Sequence, residues 1–243
     1  MENYLRSENL KLKNTFTKKL IIIMPIISVL LGHLSPSWYV INSFNWWYMM
    51  ILPGNIALIA FLVHQKEQKK QKYIGVMCLP INLKKLWISK ILLISFFNLL
   101  SCMILCIGVL PGRFYWPNAY SIPIINLIIG AVVIAITSMW QIPLCLFLAK
   151  KVGLFPTIFI NTLAGVVLNI IMVNRGLWWI CPYSITTRLM CPILRILPNG
   201  MLAERGNMLL NSNVIWIGIA LSILFFVFLT FATAHWFSKQ EVK

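Results

Sequence analysis

The chain has 243 residues, 60% of them hydrophobic and 11% charged, with a mean hydropathy of +0.84. A water-soluble domain carries about 25% charged residues, so the composition excludes an ordinary soluble enzyme or binding module. The formal charge of +16 does not point to nucleic acid, because no basic helix or aromatic sheet motif accompanies it; lysines beside apolar helices set topology and meet anionic lipid.

Hydropathy divides the chain into six apolar stretches, at about 20–39, 46–63, 88–110, 122–148, 154–173 and 214–237. Each is close to the roughly 20 residues that a helix needs to cross about 30 Å of hydrocarbon. The expectation is an all-α membrane protein with six transmembrane helices and a single membrane domain over 1–243, leaving no room for a soluble one. Six crossings put both termini on one side. That side's loops hold sixteen of the 21 basic residues, including every lysine; the other side has Arg113, Arg175, Arg188, Arg195 and Arg205. The positive-inside rule then predicts cytoplasmic N- and C-termini.

Residues 1–19 are charged and mixed. Leu5, Leu12 and Phe16 fall near one helical face, with Lys11, Lys18 and Lys19 mostly off it, which predicts a short helix in the cytoplasmic interface. No small-x-small cleavage site follows the first apolar run, so a retained span is expected rather than a signal peptide. A short outer turn then joins spans one and two. Trp38, Tyr39, Trp46, Trp47 and Tyr48 cluster there, the composition of an aromatic belt at headgroup level.

The first inner loop, 64–87, starts as a charged extension of span two. An apolar stretch from Tyr73 to Leu79 follows and stops at Pro80, which cannot continue a helix. Asn82 is a favourable N-cap for a helix starting at Leu83. A loop that only joined two spans would need no apolar cytoplasmic helix, so this one lies on lipid or docks into a partner. The outer loop after span three holds Pro111, Gly112, Pro117 and Asn118, which is turn chemistry. The second inner loop, with Lys150 and Lys151, is short. Residues 174–213 are too apolar for a free loop and too interrupted by Pro182, Pro192 and Pro198 for a span. The expectation is short, half-embedded helices at the outer surface before the last span.

Chemistry-bearing residues are sparse. No Gly-Lys pair occurs, so there is no phosphate-binding loop of the G-x-x-x-x-G-K-[ST] type. The acids are Glu2, Glu8, Glu67, Glu204 and Glu241, none within an expected span. That argues against ion-coupled transport by this chain alone and against acid–base catalysis inside the membrane. His33, His64 and His235 sit at separate span ends, and no metal site is expected. Cys102 and Cys106 are four apart on span three and read as small packing residues; Cys181 and Cys191 both face outward, which leaves a disulfide open. Gln141 in span four and Asn161, Gly165 and Asn169 in span five form a polar strip. It reads either as helix–helix hydrogen bonding around a small residue or as a candidate subunit seam.

The arrangement resembles a permease subunit of an ABC-2-type ABC transporter: six spans, an N-terminal amphipathic helix, a helical first inner loop and a broken outer segment. Glu8-Asn-Leu-Lys-Leu-Lys-Asn-Thr-Phe16 leading to Pro25 is similar to the lantibiotic-immunity permeases of the MutE/MutG and EpiE/EpiG kind. So are Asn45-Trp-Trp-Tyr48 with Leu52-Pro53-Gly54, then Gln65-Lys-Glu67, Leu79-Pro80 and Leu83-Lys-Lys. Arg188-Leu-Met-Cys-Pro192, Pro198-Asn-Gly200 and the terminal Trp236-Phe-Ser-Lys-Gln-Glu-Val-Lys243 resemble the MutG-type subunit most. The resemblance implies a bacterial cell-membrane complex of two related permeases with ABC ATPase subunits, which removes cationic lantibiotic peptides from the producer's membrane. ATP would be bound by the partner, and this chain would hold no cofactor. The ATPase-coupling element would comprise Lys66, Glu67, Lys70, Tyr73, Ile74, Met77, Leu79, Pro80 and Leu83. Position and aromatic content, rather than any family motif, nominate Trp178, Trp179, Arg188, Arg195 and Asn199 for the substrate-facing outer region. Alternatives are an ABC-2 exporter of another lipid or peptide antibiotic, and a non-transporting membrane protein that senses or sequesters the peptide.

Overall fold

The computed structural model describes residues 1–71, 82–116, 122–176, 178–204 and 206–239. Ten helices of eight residues or more dominate these residues: α1 Glu2–Lys11, α2 Phe16–His33, α3 Tyr39–Trp46, α4 Leu52–Gln71, α5 Leu83–Val109, α6 Ile124–Ser138, α7 Gln141–Val152, α8 Leu154–Met172, α9 Pro182–Leu194 and α10 Val214–Ser238. There is no strand among them, only an isolated antiparallel bridge between Ile196 and Leu202.

Five helical stretches are long and apolar enough to cross a membrane: Phe16–His33, Pro36–Lys66, Leu83–Val109, Leu154–Met172 and Val214–Ser238. A sixth would be α6 with α7, a pair bent by 43°. All six overlap the expected apolar stretches, although the second begins at Pro36, inside the range expected for the first. The faces of α8 and α10 that point away from the bundle are continuous apolar surfaces, with Phe155, Phe159 and Ile170 on one and Trp216, Phe228 and Phe231 on the other. Helices present such faces to hydrocarbon rather than to water.

Local chemistry explains where the helices meet. Pro25 lacks an N–H, which leaves the Ile21 carbonyl without its helical donor; Ser101 Oγ of α5 donates to it at 3.1 Å. The α2–α3 contact is close because its residues are small. Ser28 Oγ donates to the Ser43 carbonyl at 2.7 Å, and a Cβ on Gly32 would lie 2.1 Å from Ser43 Oγ. Asn82 caps α5 as expected, its side chain accepting from the Lys85 N–H at 3.1 Å.

Several boundaries differ from the sequence reading. The outer turn between spans one and two is largely helical: a 3-10 turn at Pro36–Trp38 runs into α3, and a π-turn at Trp47–Ile51 leads into α4. Tyr39, Trp47 and Tyr48 are therefore buried against neighbouring helices, while Trp38 and Trp46 stay exposed, as a belt requires. The N-terminal helix ends at Lys11, so Phe16 belongs to α2 and is exposed. Glu8 and Leu12 are fully buried, Tyr4 and Leu5 are half-buried beside them against the core, and α1 packs on α5. Segment 174–213 holds one 13-residue helix, α9, most of it buried among α6, α8 and α10. The α9 helix is thus an internal strut rather than a half-embedded surface helix, while Trp179, Ile180 and Met208 on the turns around it stay exposed.

Candidate functional site

The expected coupling element falls largely outside the described residues. Tyr73, Ile74, Met77, Leu79 and Pro80 lie there; Lys66, Glu67 and Lys70 are on α4, and Leu83 opens α5. What the structure describes is the platform on either side. Tyr4 Oη of α1 accepts from the Asn82 N–H at 3.2 Å. Glu8, 2% exposed, bonds Lys11 and stands 4.0 Å from Lys90 Nζ, which is fully buried in the second turn of α5. Charges this deeply buried persist only when paired. Trp87 Nε1 donates to Thr233 Oγ1 at 3.1 Å, and the Trp87 ring stacks on Phe237 with centroids 4.4 Å apart. Lys150 lies over the Phe237 ring at 4.5 Å and the Trp236 ring at 5.2 Å. The start of α5 and the ends of α7 and α10 are thus fastened together where the loop returns.

The polar strip of Gln141, Asn161, Gly165 and Asn169 is brought together inside the chain. Asn161 Nδ2 donates to Gln141 Oε1 at 3.0 Å and to the Pro53 carbonyl at 2.9 Å, and Asn161 Oδ1 accepts from Tyr183 Oη at 2.9 Å. Asn169 Nδ2 donates to Thr187 Oγ1. Gly165 packs on Tyr183 and Pro53, where an added Cβ would meet them at 3.5 and 3.7 Å. These residues join α4, α7, α8 and α9 of one chain. A parallel set links Thr186 Oγ1 to Thr137 Oγ1 at 3.0 Å and Asn98 Nδ2 to Ser138 Oγ at 2.9 Å. Both sets lie beside the π-turn of span two or the break between α6 and α7. Burial pushes the Tyr183 phenol above its ordinary range.

The outer-region residues separate into two groups. Arg188 is 7% exposed: one guanidinium nitrogen, Nη1, donates to the Leu209 carbonyl, and the group sits 6.0 Å from the centre of the Trp178 ring. Trp178 is half-buried and Trp179 exposed. Arg195 and Asn199 are exposed and belong to a turn closed by Ala203 N–H to Arg195 carbonyl, 2.8 Å. Arg195 ends α9 in the left-handed region, φ 57°, and lines a cavity of about 270 Å³ with Asn126, Leu194 and Leu202. Cys181 and Cys191 are both free thiols. Burial pushes the Cys191 thiol up to about 11, with Arg188 pulling the other way.

Sequence reasoning missed two features of the packing: Lys90 looked like one more loop lysine and Glu8 like one more surface acid. Arg188, nominated for the outer region by its position, is buried rather than exposed. The Glu8–Lys90 approach joins residues 82 apart in sequence, which no local pattern encodes. Among the described residues, no three of His, Cys, Asp and Glu gather as metal ligands would. No protein-family model matches the chain, and no curated protein and no solved structure matches it either.

Proposed function

We propose that this chain is the membrane-spanning permease subunit of an ABC transporter that expels a lantibiotic, a cationic amphipathic peptide, from the producer's cell membrane. In this reading the six apolar stretches are six crossings, with both termini and the lysine-rich loops cytoplasmic. The observation that carries it is the pairing of an apolar helical bundle with a fastened platform where the loop after α4 returns to α5. A loop that must transmit force needs rigid attachment at its exit, and Tyr4, Trp87 and Phe237 supply that at the start of α5.

ATP binding and hydrolysis in partner subunits would then shift the segment containing Tyr73 and Met77. The α5 platform would carry the movement along the bundle as a two-state rocking, in company with a second, related permease. The bent α6–α7 pair and the π-turn of span two are where the bundle can flex, because hydrogen bonding is irregular there. An amphipathic substrate already in the membrane can enter from the side, so no charged pore is needed. The test is co-purification of the chain with candidate ABC ATPase subunits, followed by ATPase assay with and without peptide. Peptide-stimulated hydrolysis that requires this chain is expected. Peptide binding by the chain alone, with no ATPase association and full resistance, would favour sequestration instead.

A further inference from the structure

The geometry points to a binding site for the phosphate of a membrane lipid at Arg188. The inference is independent of whether the chain transports anything; it needs only that the bundle sits in lipid. A guanidinium carries five N–H donors and cannot lose its charge in a protein. Taking such a group from water is costly unless a negative partner or a full set of hydrogen bonds replaces the water. Arg188 is 7% exposed, yet among the described residues no carboxylate lies within ion-pair distance of it. Its guanidinium donates to the neutral Leu209 carbonyl, and its other close partners, the Trp178 ring and the hydrogen-bonded Cys191 thiol, are also neutral. The guanidinium therefore keeps donors for an anion.

The surroundings say which anion. The nearby turns and the start of α10 expose large apolar groups: Trp179 is 48% exposed, Ile180 55%, Met208 92% and Trp216 79%. Tryptophans in such numbers settle at the headgroup level of a bilayer. A cation held among them stands at the depth of the lipid phosphates, while the apolar groups beside it meet the acyl chains. Segment 174–213 carries Arg175, Arg188, Arg195 and Arg205 against the single acid Glu204, so its own side chains cannot neutralise it. A planar guanidinium pairs with phosphate oxygens through two parallel hydrogen bonds, which suits a phosphodiester. The assignment also separates Arg188 from any contact with a cationic peptide.

The test uses the purified full chain in a neutral detergent, with thermal unfolding and native mass spectrometry as readouts. The probes are phosphatidylglycerol, dioleoylglycerol with the same acyl chains but no phosphate, and inorganic phosphate. Phosphatidylglycerol is expected to remain bound and raise the unfolding midpoint, while dioleoylglycerol and inorganic phosphate do neither. Arg188→Gln should weaken phosphatidylglycerol binding by about tenfold or more, as loss of a charge-assisted hydrogen-bonded pair does. Arg188→Lys, which keeps the charge but not the fork, should fall between; Arg175→Gln should behave as the unaltered chain. Equal retention of dioleoylglycerol and phosphatidylglycerol overturns the proposal even if Arg188→Gln fails to fold. So does an Arg188→Gln chain that binds phosphatidylglycerol within about twofold of the original, which would leave Arg188 as a strut between α9 and the Leu209 turn. Inorganic phosphate competing at the same concentration as the lipid would assign the site to a free anion and overturn the lipid source.

Discussion

At the scale of single residues, neutral polar side chains do the work that charges do elsewhere. Asn161 is the clearest case: fully buried, it satisfies Gln141, Tyr183 and the Pro53 carbonyl at once. Truncation leaves Tyr183 Oη and Gln141 Oε1 unpaired in an apolar interior, so Asn161→Ala should lower stability by about 1–3 kcal/mol. Phe159→Ala on the exposed face of the same helix should have little effect on the folded chain in detergent. Reversible unfolding in mixed micelles measures both. The two cysteines of segment 174–213 give a second contrast. Cys191 is buried and its thiol raised to about 11, whereas Cys181 is half-buried. Because the thiolate is the reactive form, a maleimide at pH 8 should modify Cys181 well before Cys191, and denaturant should erase the difference. Mass spectrometry of peptides after timed labelling reads this directly. The residue types of this network were visible in the sequence, but their pairing was not, since Asn161 meets Pro53 across 108 positions.

At the scale of elements, small residues decide how closely helices approach, as they do wherever helices pack without a hydrophobic driving force. Gly32 permits α2 and α3 to meet. An alanine there would place its Cβ 2.1 Å from Ser43 Oγ and 2.8 Å from the Tyr39 carbonyl. Gly32→Ala should therefore cost about 1–3 kcal/mol through overpacking. Ser43→Ala removes the nearer clash but not the carbonyl, so the double variant should recover part of the loss. Four unfolding curves, closing a double-mutant cycle, test that coupling. The existence of α2, α5, α8 and α10 was legible because each is a long apolar run. The α3 helix and π-turn were not, because Ser43, Asn42 and Asn45 look like turn residues until Ser28 and Gly32 are placed against them. The α1 helix was legible, but its docking was not: the face it buries is chosen by Lys90 on α5 and by Asn82, which caps that helix.

At the scale of the whole molecule, charge and shape together make a prediction of orientation. The cation-rich helix ends, with Lys84, Lys85, Lys150 and Lys239, converge where α5, α7 and α10 are joined by Trp87, Phe237 and Trp236. Single cysteines replacing Lys13 and Arg195, both exposed, should label oppositely with an impermeant maleimide in intact cells. Access to Arg195→Cys alone is expected; equal labelling of both positions from outside would refute cytoplasmic termini.

What the sequence by itself determined is the chain's apolar character and the number of apolar stretches. Both are sums over many residues, and hydropathy is additive along a chain. The lysine asymmetry belongs to the same class, because loop charge is counted rather than folded. What only the tertiary structure decided is which polar groups lose their contact with water. Glu8 and Lys90 become a buried pair, Asn161 a hub and Arg188 a buried cation because of helices distant in sequence. Burial is a property of what packs over a residue, and in an apolar interior that neighbour, not the residue's own type, sets the cost of its charge.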